Sequence, residues 1–486
     1  MSKTKNNKIS LFLWSSIDSF GAFILKFGFS IAIARLLVPK DYGLLGMMLL
    51  FWGIATWVFE SGMSDALIQK KDTTTIDYST VFYFQLTISI LFYLIFYFSA
   101  PMIAAFYDTA ELVRITRVGG LNLVINALAN VQQTILIKNL NFKVTAKINA
   151  ISSFLSGIIG LAFAYLGYGV WALIYQMLLG DCIKLLLLWI KSSWRPVYKF
   201  DYEVFKKLYR YGYKILIQGV LNAFFSNIYF VLIGKYYHID QLGFYARARR
   251  FSDLFVMQVA IVFNKVNFPT FSVLQNDLIQ YRLNYIKMVR SMAYIVFPIF
   301  SILMITAHDF VLIFLTEKWI HIVPYLILLY IEGFYFPFYL LNLTALNSLG
   351  YSGKTLKIEI VKKSLIAISI FSVINMDIKY LIIGYIFSSF ISFIVGISLL
   401  SKFINIRFVN FFEQIFPSLI LSGISCFLVK YLSSILFLNS WIILLFNSIF
   451  TLLVYLVLSK LFHVRAYCEI KKKLLPYLPE KIQFIV

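Results

Sequence analysis

The chain has 486 residues, of which 60% are hydrophobic and only 14% are charged. Soluble domains are roughly half apolar and a quarter charged, so a soluble enzyme of ordinary composition is excluded and a polytopic membrane protein is indicated. In a soluble protein, the net charge of +22 would suggest binding to nucleic acid. In a membrane protein basic residues mark cytoplasmic loops, so we expect no nucleic-acid partner.

Fourteen hydrophobic segments follow one another along the chain, each near the ~20 residues that a helix needs to cross a bilayer. The apolar runs are continuous rather than alternating, which favours helices over the strands of a barrel. The eighth and eleventh segments carry many polar residues. The segments are 11–34, 43–65, 79–104, 114–137, 148–168, 169–190, 211–234, 247–269, 290–315, 322–349, 357–376, 379–400, 412–434 and 440–462.

A basic stretch divides these segments into six and eight. Residues 191–214 hold seven Lys and Arg, and their composition favours a linker with a short amphipathic helix at the membrane interface. We therefore predict an all-α polytopic protein with two six-helix lobes and two further helices. The predicted parts are an N-terminal lobe (1–192), a cytoplasmic linker (193–212), a C-terminal lobe (213–401), an extra helix pair (402–463) and a cytoplasmic basic tail (464–486).

Two stretches hint at an internal repeat. ARLLVPKDYGLLG follows the first segment and IGKYYHIDQLGFY follows the seventh, so that Arg35 and Gly43 lie 200 positions before Lys235 and Gly243. The identities are few, but with six segments before the linker they favour two lobes of the same orientation.

The distribution of basic residues predicts the topology. If the N-terminus is cytoplasmic, 31 of the 44 Lys and Arg fall in cytoplasmic stretches and 11 on the opposite side. This ratio supports an even number of spans with both termini in the cytoplasm.

No motif for catalysis, a cofactor or a metal stands out. The four histidines are scattered and the three cysteines lack metal-ligand spacing. GYSGKT at 350–355 has two residues between its glycines where a phosphate-binding loop needs four, so a turn between helices is the better interpretation. We expect neither an enzyme nor a resident cofactor.

Polar side chains within the predicted spans are the candidate functional residues. Placing a charge at a helix centre costs roughly 2.5–3.5 kcal/mol on insertion scales, so each such residue is a site hypothesis. The candidates are Asp18 and Lys26 in the first segment, Glu60 in the second, Asn122, Asn126 and Asn130 in the fourth, and Arg247 and Arg250 in the eighth.

Helical spacing sorts the charges of the eighth segment. Arg247 and Arg250 are three residues apart and share a face, whereas Arg249 and Asp253 are four apart, the spacing of an intrahelical pair. Arg247 and Arg250 are thus left to bind an anion, for which the planar guanidinium is well suited. Snorkelling to the interface is the alternative role.

Two further patterns lie in the fourth and sixth segments. The asparagines of the fourth segment, spaced four apart, form one stripe, which would either face a polar ligand or make hydrogen bonds between helices. Lys184 and Asp181 of the sixth segment are three apart, and an internal pair is the expected arrangement.

Seven stretches, in the same order, resemble a known family, the Wzx-type polysaccharide flippases of the multidrug/oligosaccharidyl-lipid/polysaccharide exporter superfamily. The resemblance covers roughly residues 9 to 400, and the last 85 residues match only in being hydrophobic. His238 stands where family members often have glycine. The stretches are ARLLVPKDYGLLGM (34–47), FESGMSDALIQKKD (59–72), GYGVWALIYQ (167–176), WRPVYKFD (194–201), LIGKYYHIDQLGFYARARRF (232–251), FPTFSVLQND (268–277) and LNSLGYSGKTLK (346–357).

The resemblance implies a flippase of the bacterial cytoplasmic (inner) membrane. Its cargo would be an undecaprenyl-pyrophosphate-linked oligosaccharide for O-antigen, capsule or exopolysaccharide, with membrane lipids and a polysaccharide polymerase and chain-length regulator as partners. Lys26, Arg247 and Arg250 would meet the pyrophosphate, and the asparagine stripe would face the glycan. Asp18 and Glu60 are candidates to carry a coupling ion, or else to balance nearby basic residues.

Three alternatives stay open at this point. A multidrug exporter of the same superfamily would have an acidic, aromatic site for cations, whereas the eighth segment is basic. A membrane polysaccharide polymerase would carry a large outer loop, and none is evident. A passive scramblase has no distinguishing sequence feature.

Overall fold

The structure is a computed structural model that describes residues 25–436 and 439–474. Over these residues it is helical, without a β-strand, and fourteen of its helices are long, in agreement with the predicted all-α class. The helices are α1 (25–36), α2 (Pro39–Glu60), α3 (Met63–Gln69), α4 (Thr75–Phe106), α5 (Leu112–Gly119), α6 (Leu121–Lys138), α7 (Phe142–Tyr165), α8 (Val170–Lys191), α9 (Tyr202–Tyr236), α10 (Ile239–Leu274), α11 (Leu278–Phe310), α12 (Val323–Ser348), α13 (Ser352–Val373), α14 (Ile378–Phe403), α15 (Phe408–Ile435), α16 (Ser440–Leu461) and α17 (Arg465–Leu474), with a π-helical turn at Val311–Leu315 and a 3₁₀ turn at Glu317–Ile322 between α11 and α12.

The lengths and hydropathies of the helices fit a multi-pass membrane protein. In the described parts of the chain, 11 helices are long and apolar enough to cross a bilayer. The long helices α10 and α13 are not among them. They correspond to the eighth and eleventh predicted segments, where polar residues are frequent. Large apolar side chains such as Phe98, Met102 and Phe371 are 73%, 74% and 83% exposed, as expected of a surface that faces lipid.

Acids between the spans begin several helices. Asp201 accepts hydrogen bonds from two backbone N–H groups in the first turn of α9, and Asp277 does the same at α11. Thr74 and Asp77 form a reciprocal capping box at the start of α4. These side chains satisfy amides that a helix leaves unpaired at its N-terminus.

The chain divides into two compact units, Met1–Ala246 and Arg247–Val486. Unit 1 holds α1 to α9 and the first turns of α10, with α9 packed along α2. Unit 2 holds the rest of α10 and the helices that follow. The predicted division into six-helix lobes at residues 192 and 213 remains a prediction. The compact units divide elsewhere, and α9, the seventh predicted span, belongs to unit 1.

The amphipathic helix predicted in the linker is part of a longer helix in the structure. Residues 192–201 are not helical, and from Tyr202 the chain runs without interruption to Tyr236 as one helix of 35 residues. At 1.5 Å per residue this helix is about 52 Å long, well beyond the ~30 Å of a hydrocarbon core. The amphipathic stretch is therefore an extension of a span rather than a helix of its own.

The two members of the predicted repeat meet at a close crossing within unit 1. A Cβ on Gly43 would lie 2.4 Å from the carbonyl oxygen of Ile239, and a Cβ on Gly243 would lie 1.8 Å from that of Pro39. Pro39 and Ile239 are themselves 200 positions apart. Equivalent positions of the repeat thus contact each other reciprocally, which supports an internal repeat and explains why glycine occupies both.

Candidate functional site

In unit 1, polar side chains of α6 and α8 meet at the middle of the predicted spans. Asn122 and Asn126 both donate to Oδ2 of Asp181, at 2.7 and 3.2 Å, and Asn126 also donates to Oδ1 of Asn122 at 2.6 Å. Asp181 is the twelfth of the 22 residues of α8. The predicted asparagine stripe therefore makes hydrogen bonds between helices, the second of the two roles considered for it. Contact with a glycan stays a prediction.

Charged side chains from α1, α2 and α8 surround this junction. Lys184 lies within electrostatic range of Asp181, Lys26 and Glu60. Among the described residues, however, no carboxylate oxygen comes within the 4.0 Å of an ion pair with Lys184 or Lys26. The expected internal pair of Lys184 with Asp181 is therefore not a direct ion pair. The two side chains interact electrostatically, while Oδ2 of Asp181 accepts from the two asparagines.

A second arm of hydrogen bonds extends this polar junction toward α3 and α4. The Ser64 hydroxyl donates to Oδ1 of Asn130 at 3.2 Å, and Nε2 of Gln85 donates to the Ser64 hydroxyl at 3.4 Å. Gln85 is fully buried. We name Lys26, Glu60, Asn122, Asn126, Asn130, Asp181 and Lys184 the unit 1 polar cluster.

Unit 2 contains a buried ionic network centred on Arg249. Its guanidinium contacts Glu332 at 2.9 Å and Asp253 at 3.0 Å, and it donates to the Tyr385 hydroxyl at 3.3 Å. Tyr385 in turn donates to the other oxygen of Glu332 at 2.7 Å. The predicted pairing of Arg249 with Asp253 is confirmed. The side chain of Glu332 is only 3% exposed, so it depends on these partners.

Lys362 of α13 stands beside this network in a cage of aromatic rings. Its amine lies 4.9, 5.5 and 5.9 Å from the ring centres of Tyr339, Phe336 and Tyr385. Lys362 is within electrostatic range of Glu332 and Glu359. Tyr339 donates to the Glu359 carboxylate. We name Arg249, Asp253, Glu332, Glu359, Lys362, Tyr339 and Tyr385 the unit 2 ionic network.

The remaining predicted site residues differ in their exposure to solvent. Arg247 is buried at 3% exposure and its guanidinium lies 4.3 Å from the ring centre of Phe251, whereas Arg250 is exposed. The two therefore differ in accessibility although they are one helical turn apart. Asp18 lies outside the described residues. No group of three His, Cys, Asp or Glu in the described part of the chain could hold a metal ion.

Five residues of the unit 2 ionic network were missed from sequence, the two tyrosines and the charged Glu332, Glu359 and Lys362. Glu332 sits in the apolar run LLYIEGFYF, where the rule that intramembrane charges mark sites applies as well as it did to Lys26. Lys362 and Glu359 are three residues apart on the polar eleventh segment and share a face.

Comparisons with known proteins agree with this architecture. Residues 32–324 match the family described as polysaccharide biosynthesis protein. The teichuronic acid biosynthesis protein TuaB of Bacillus subtilis is 25% identical over 75% of this chain and 76% of its own length. The lipopolysaccharide biosynthesis protein WzxC of Escherichia coli is 22% identical over 62% of each. The predicted resemblance to Wzx-type proteins is thereby confirmed.

A solved structure extends the agreement to the fold. The lipid II flippase MurJ, in an inward closed conformation, superposes with a TM-score of 0.73 over 93% of this chain and 99% of its own chain. The sequence identity is 18%, so this likeness concerns the fold alone.

Proposed function

The chain belongs to the polysaccharide biosynthesis protein family, and from this premise we propose that it moves undecaprenyl-pyrophosphate-linked oligosaccharide across the bacterial cytoplasmic membrane. The observation that carries the proposal is the unit 1 polar cluster, in which Lys184 lies within α8, a helix long and apolar enough to span a bilayer. Lys184 is within electrostatic range of Lys26, and neither lysine has an ion-pair partner among the described residues. Such charges are costly in a membrane and are retained where a ligand or pathway needs them. The protein acts as a transporter and not as an enzyme.

The chemistry of the cargo matches this arrangement. A glycan cannot cross hydrocarbon without polar groups to replace water, and a pyrophosphate needs cations. Lys26 and Lys184 would meet the pyrophosphate, and Asn122, Asn126 and Asn130 would offer amides to the glycan. In unit 2, the exposed Arg250 and Arg247, which packs against Phe251, are separate candidates for contact with the pyrophosphate.

The basic residues and Glu60 suggest orientation and coupling. The excess of Lys and Arg on one side supports an orientation with both termini in the cytoplasm. Glu60, within electrostatic range of Lys184, would carry a coupling proton or cation, together with Asp18. A polysaccharide polymerase and a chain-length regulator would take the cargo on the far side.

The experiment is deletion of the gene followed by extraction of membrane lipids and measurement of surface glycan. Accumulation of lipid-linked single repeat units with no surface polymer is the expected result. Normal lipids and normal glycan together with new sensitivity to drugs would contradict the proposal and support a cation-coupled multidrug exporter. Surface glycan reduced to single repeats would replace it by a polymerase.

A second comparison tests the site. Arg250→Ala should lower the amount of surface polysaccharide at unchanged protein level, and Arg250→Lys should keep most of it because the charge remains. Equal polysaccharide in the wild type and Arg250→Ala would remove Arg250 from the proposed site.

A further inference from the structure

A basic cavity lies at the start of α9, away from the unit 1 polar cluster. It has a volume of about 710 Å³ and is lined by side chains of four cations, one carboxylate and three other residues. The lining residues are Lys70, Glu203, Val204, Lys206, Lys207, Leu208, Arg210 and Tyr211. This volume lies within the range of small-molecule sites.

Three of these cations form no ion pair in the described part of the chain. Among the described residues, no carboxylate oxygen lies within ion-pair distance of Lys206, Lys207 or Arg210, while Lys70 is held by Asp77 at 2.6 Å. All three are exposed. Arg210 lies four residues after Lys206 and three after Lys207, so that it shares a face of the helix with each of them.

Packing fixes this face in place. A Cβ on Gly212 would lie 2.3 Å from the carbonyl oxygen of Ser61, so α9 crosses the corner between α2 and α3 at backbone contact. On the side turned toward α3, Leu208 packs in a hydrophobic cluster with Met63 and Leu67. The cations are therefore presented by a fixed element rather than by a loose loop.

The same part of the chain carries the features of a membrane interface. Tyr198, Phe200, Tyr202, Tyr209 and Tyr213 are 101%, 48%, 64%, 38% and 37% exposed. Exposed tyrosines are typical of the headgroup level, where their apolar rings and hydroxyls are both satisfied. The extension of α9 beyond the ~30 Å hydrocarbon core ends at this level.

From this geometry we propose that the cavity binds the phosphate headgroup of an anionic membrane lipid, through Lys206, Lys207 and Arg210. As a site for a bilayer phospholipid it goes beyond the proposed transport, and as a docking site for a polyprenyl pyrophosphate it rests on that proposed function. The phosphate belongs either to a bilayer phospholipid or to a polyprenyl pyrophosphate that docks before transport. Each cation near an anionic membrane surface adds about fivefold to binding.

The test uses the full-length purified protein in detergent and counts bound lipids by native mass spectrometry. Phosphatidylglycerol, phosphatidylcholine and farnesyl pyrophosphate are titrated separately. The wild type should bind phosphatidylglycerol more tightly than phosphatidylcholine. In the triple variant Lys206→Gln, Lys207→Gln and Arg210→Gln the ratio of the two affinities should fall at least tenfold. The variant Lys206→Arg with Lys207→Arg should keep it.

A matched variant separates the site from general electrostatics. Lys357→Gln, Lys402→Gln and Arg407→Gln remove the same charge at exposed positions on the same predicted side and should change binding less than threefold. Equal losses in both triple variants, or no preference in the wild type, would overturn the proposal. Should the first triple variant not fold, Lys206→Gln and Lys207→Gln alone serve the same comparison.

The lipids themselves separate the two sources. Farnesyl pyrophosphate binding at least tenfold tighter than phosphatidylglycerol, and lost in the triple variant, supports a docking site for the cargo. Comparable binding of the two supports a bilayer phospholipid. Failure of the lipid-site proposal would not decide the transport proposal. The gene-deletion experiment tests transport without changing these three residues.

Discussion

The two units place polar side chains inside the membrane in opposite ways. In unit 1 one oxygen of the central carboxylate, Asp181, accepts hydrogen bonds from two neutral asparagine amides, and the neighbouring Lys184 has no ion-pair partner among the described residues. In unit 2 the central cation, Arg249, is held by two carboxylates and a tyrosine hydroxyl.

This difference separates two kinds of polar site. A buried charge that is already paired and hydrogen-bonded is neutralised within the protein. Its removal leaves the partner charge buried without compensation in a region of low dielectric constant. A lysine that is near charges but bonded to none retains its hydrogen-bond donors for a ligand. Unit 1 therefore has the features of a binding site for an anion, and unit 2 those of an internally neutralised junction between helices.

The largest expected effect comes from breaking the unit 2 ionic network. Glu332→Leu should destabilise the protein by about 3–5 kcal/mol, because Arg249 loses the carboxylate buried beside it. The measurement is the free energy of unfolding in denaturant, or the amount of monodisperse protein after heating.

A double variant provides the control for this prediction. Arg249→Met combined with Glu332→Leu should recover most of the lost stability, since both charges are then absent. If Glu332→Leu alone is as stable as the wild type, unit 2 does not depend on this pair, and the contrast between the units is lost.

The second prediction concerns binding in unit 1. Lys184→Gln should leave stability nearly unchanged, because no ion pair is broken, but should lower transport about tenfold or more. A charge-assisted hydrogen bond to phosphate is worth about 1.5–3 kcal/mol, which corresponds to roughly 10- to 150-fold. The measurement is surface polysaccharide per transporter, with accumulation of lipid-linked repeat units.

Its matched control is Lys235→Gln, the same charge change in unit 1 at a lysine that pairs with the exposed Asp108 at 3.2 Å. Normal transport is expected there. Transport that is equally normal in Lys184→Gln would show that the unpaired lysine of the unit 1 polar cluster is not a ligand contact.

The spans and the asparagine stripe could be predicted from sequence because both depend on local periodicity. The partners could not, since Asn122 meets Asp181 59 residues away and Arg249 meets Tyr385 136 residues away. Lys184 and Asp181 are the instructive case. Their spacing of three favours a pair on one helix, but interhelical amides compete for the carboxylate, and only the packing of α6 against α8 decides between them.

The smallest expected effects are the losses of stability when one hydroxyl group is removed from each unit. Tyr385→Phe removes two hydroxyl contacts in the unit 2 ionic network, at 2.7 and 3.3 Å, one of them to the buried carboxylate of Glu332. A cost of about 1–2 kcal/mol is expected, toward the upper end of hydrogen bonds between membrane helices.

Ser64→Ala removes the weaker contacts of 3.2 and 3.4 Å to neutral amides in unit 1. Its expected cost is about 0.6 kcal/mol, the average for hydrogen bonds between membrane helices, because Gln85 can still donate to the carbonyl oxygen of Glu60 at 3.5 Å. Both variants are compared in one unfolding titration. A larger loss for Ser64→Ala than for Tyr385→Phe would mean that the hydrogen bonds of Ser64 in unit 1 hold their helices together more strongly than those of Tyr385 in the unit 2 ionic network.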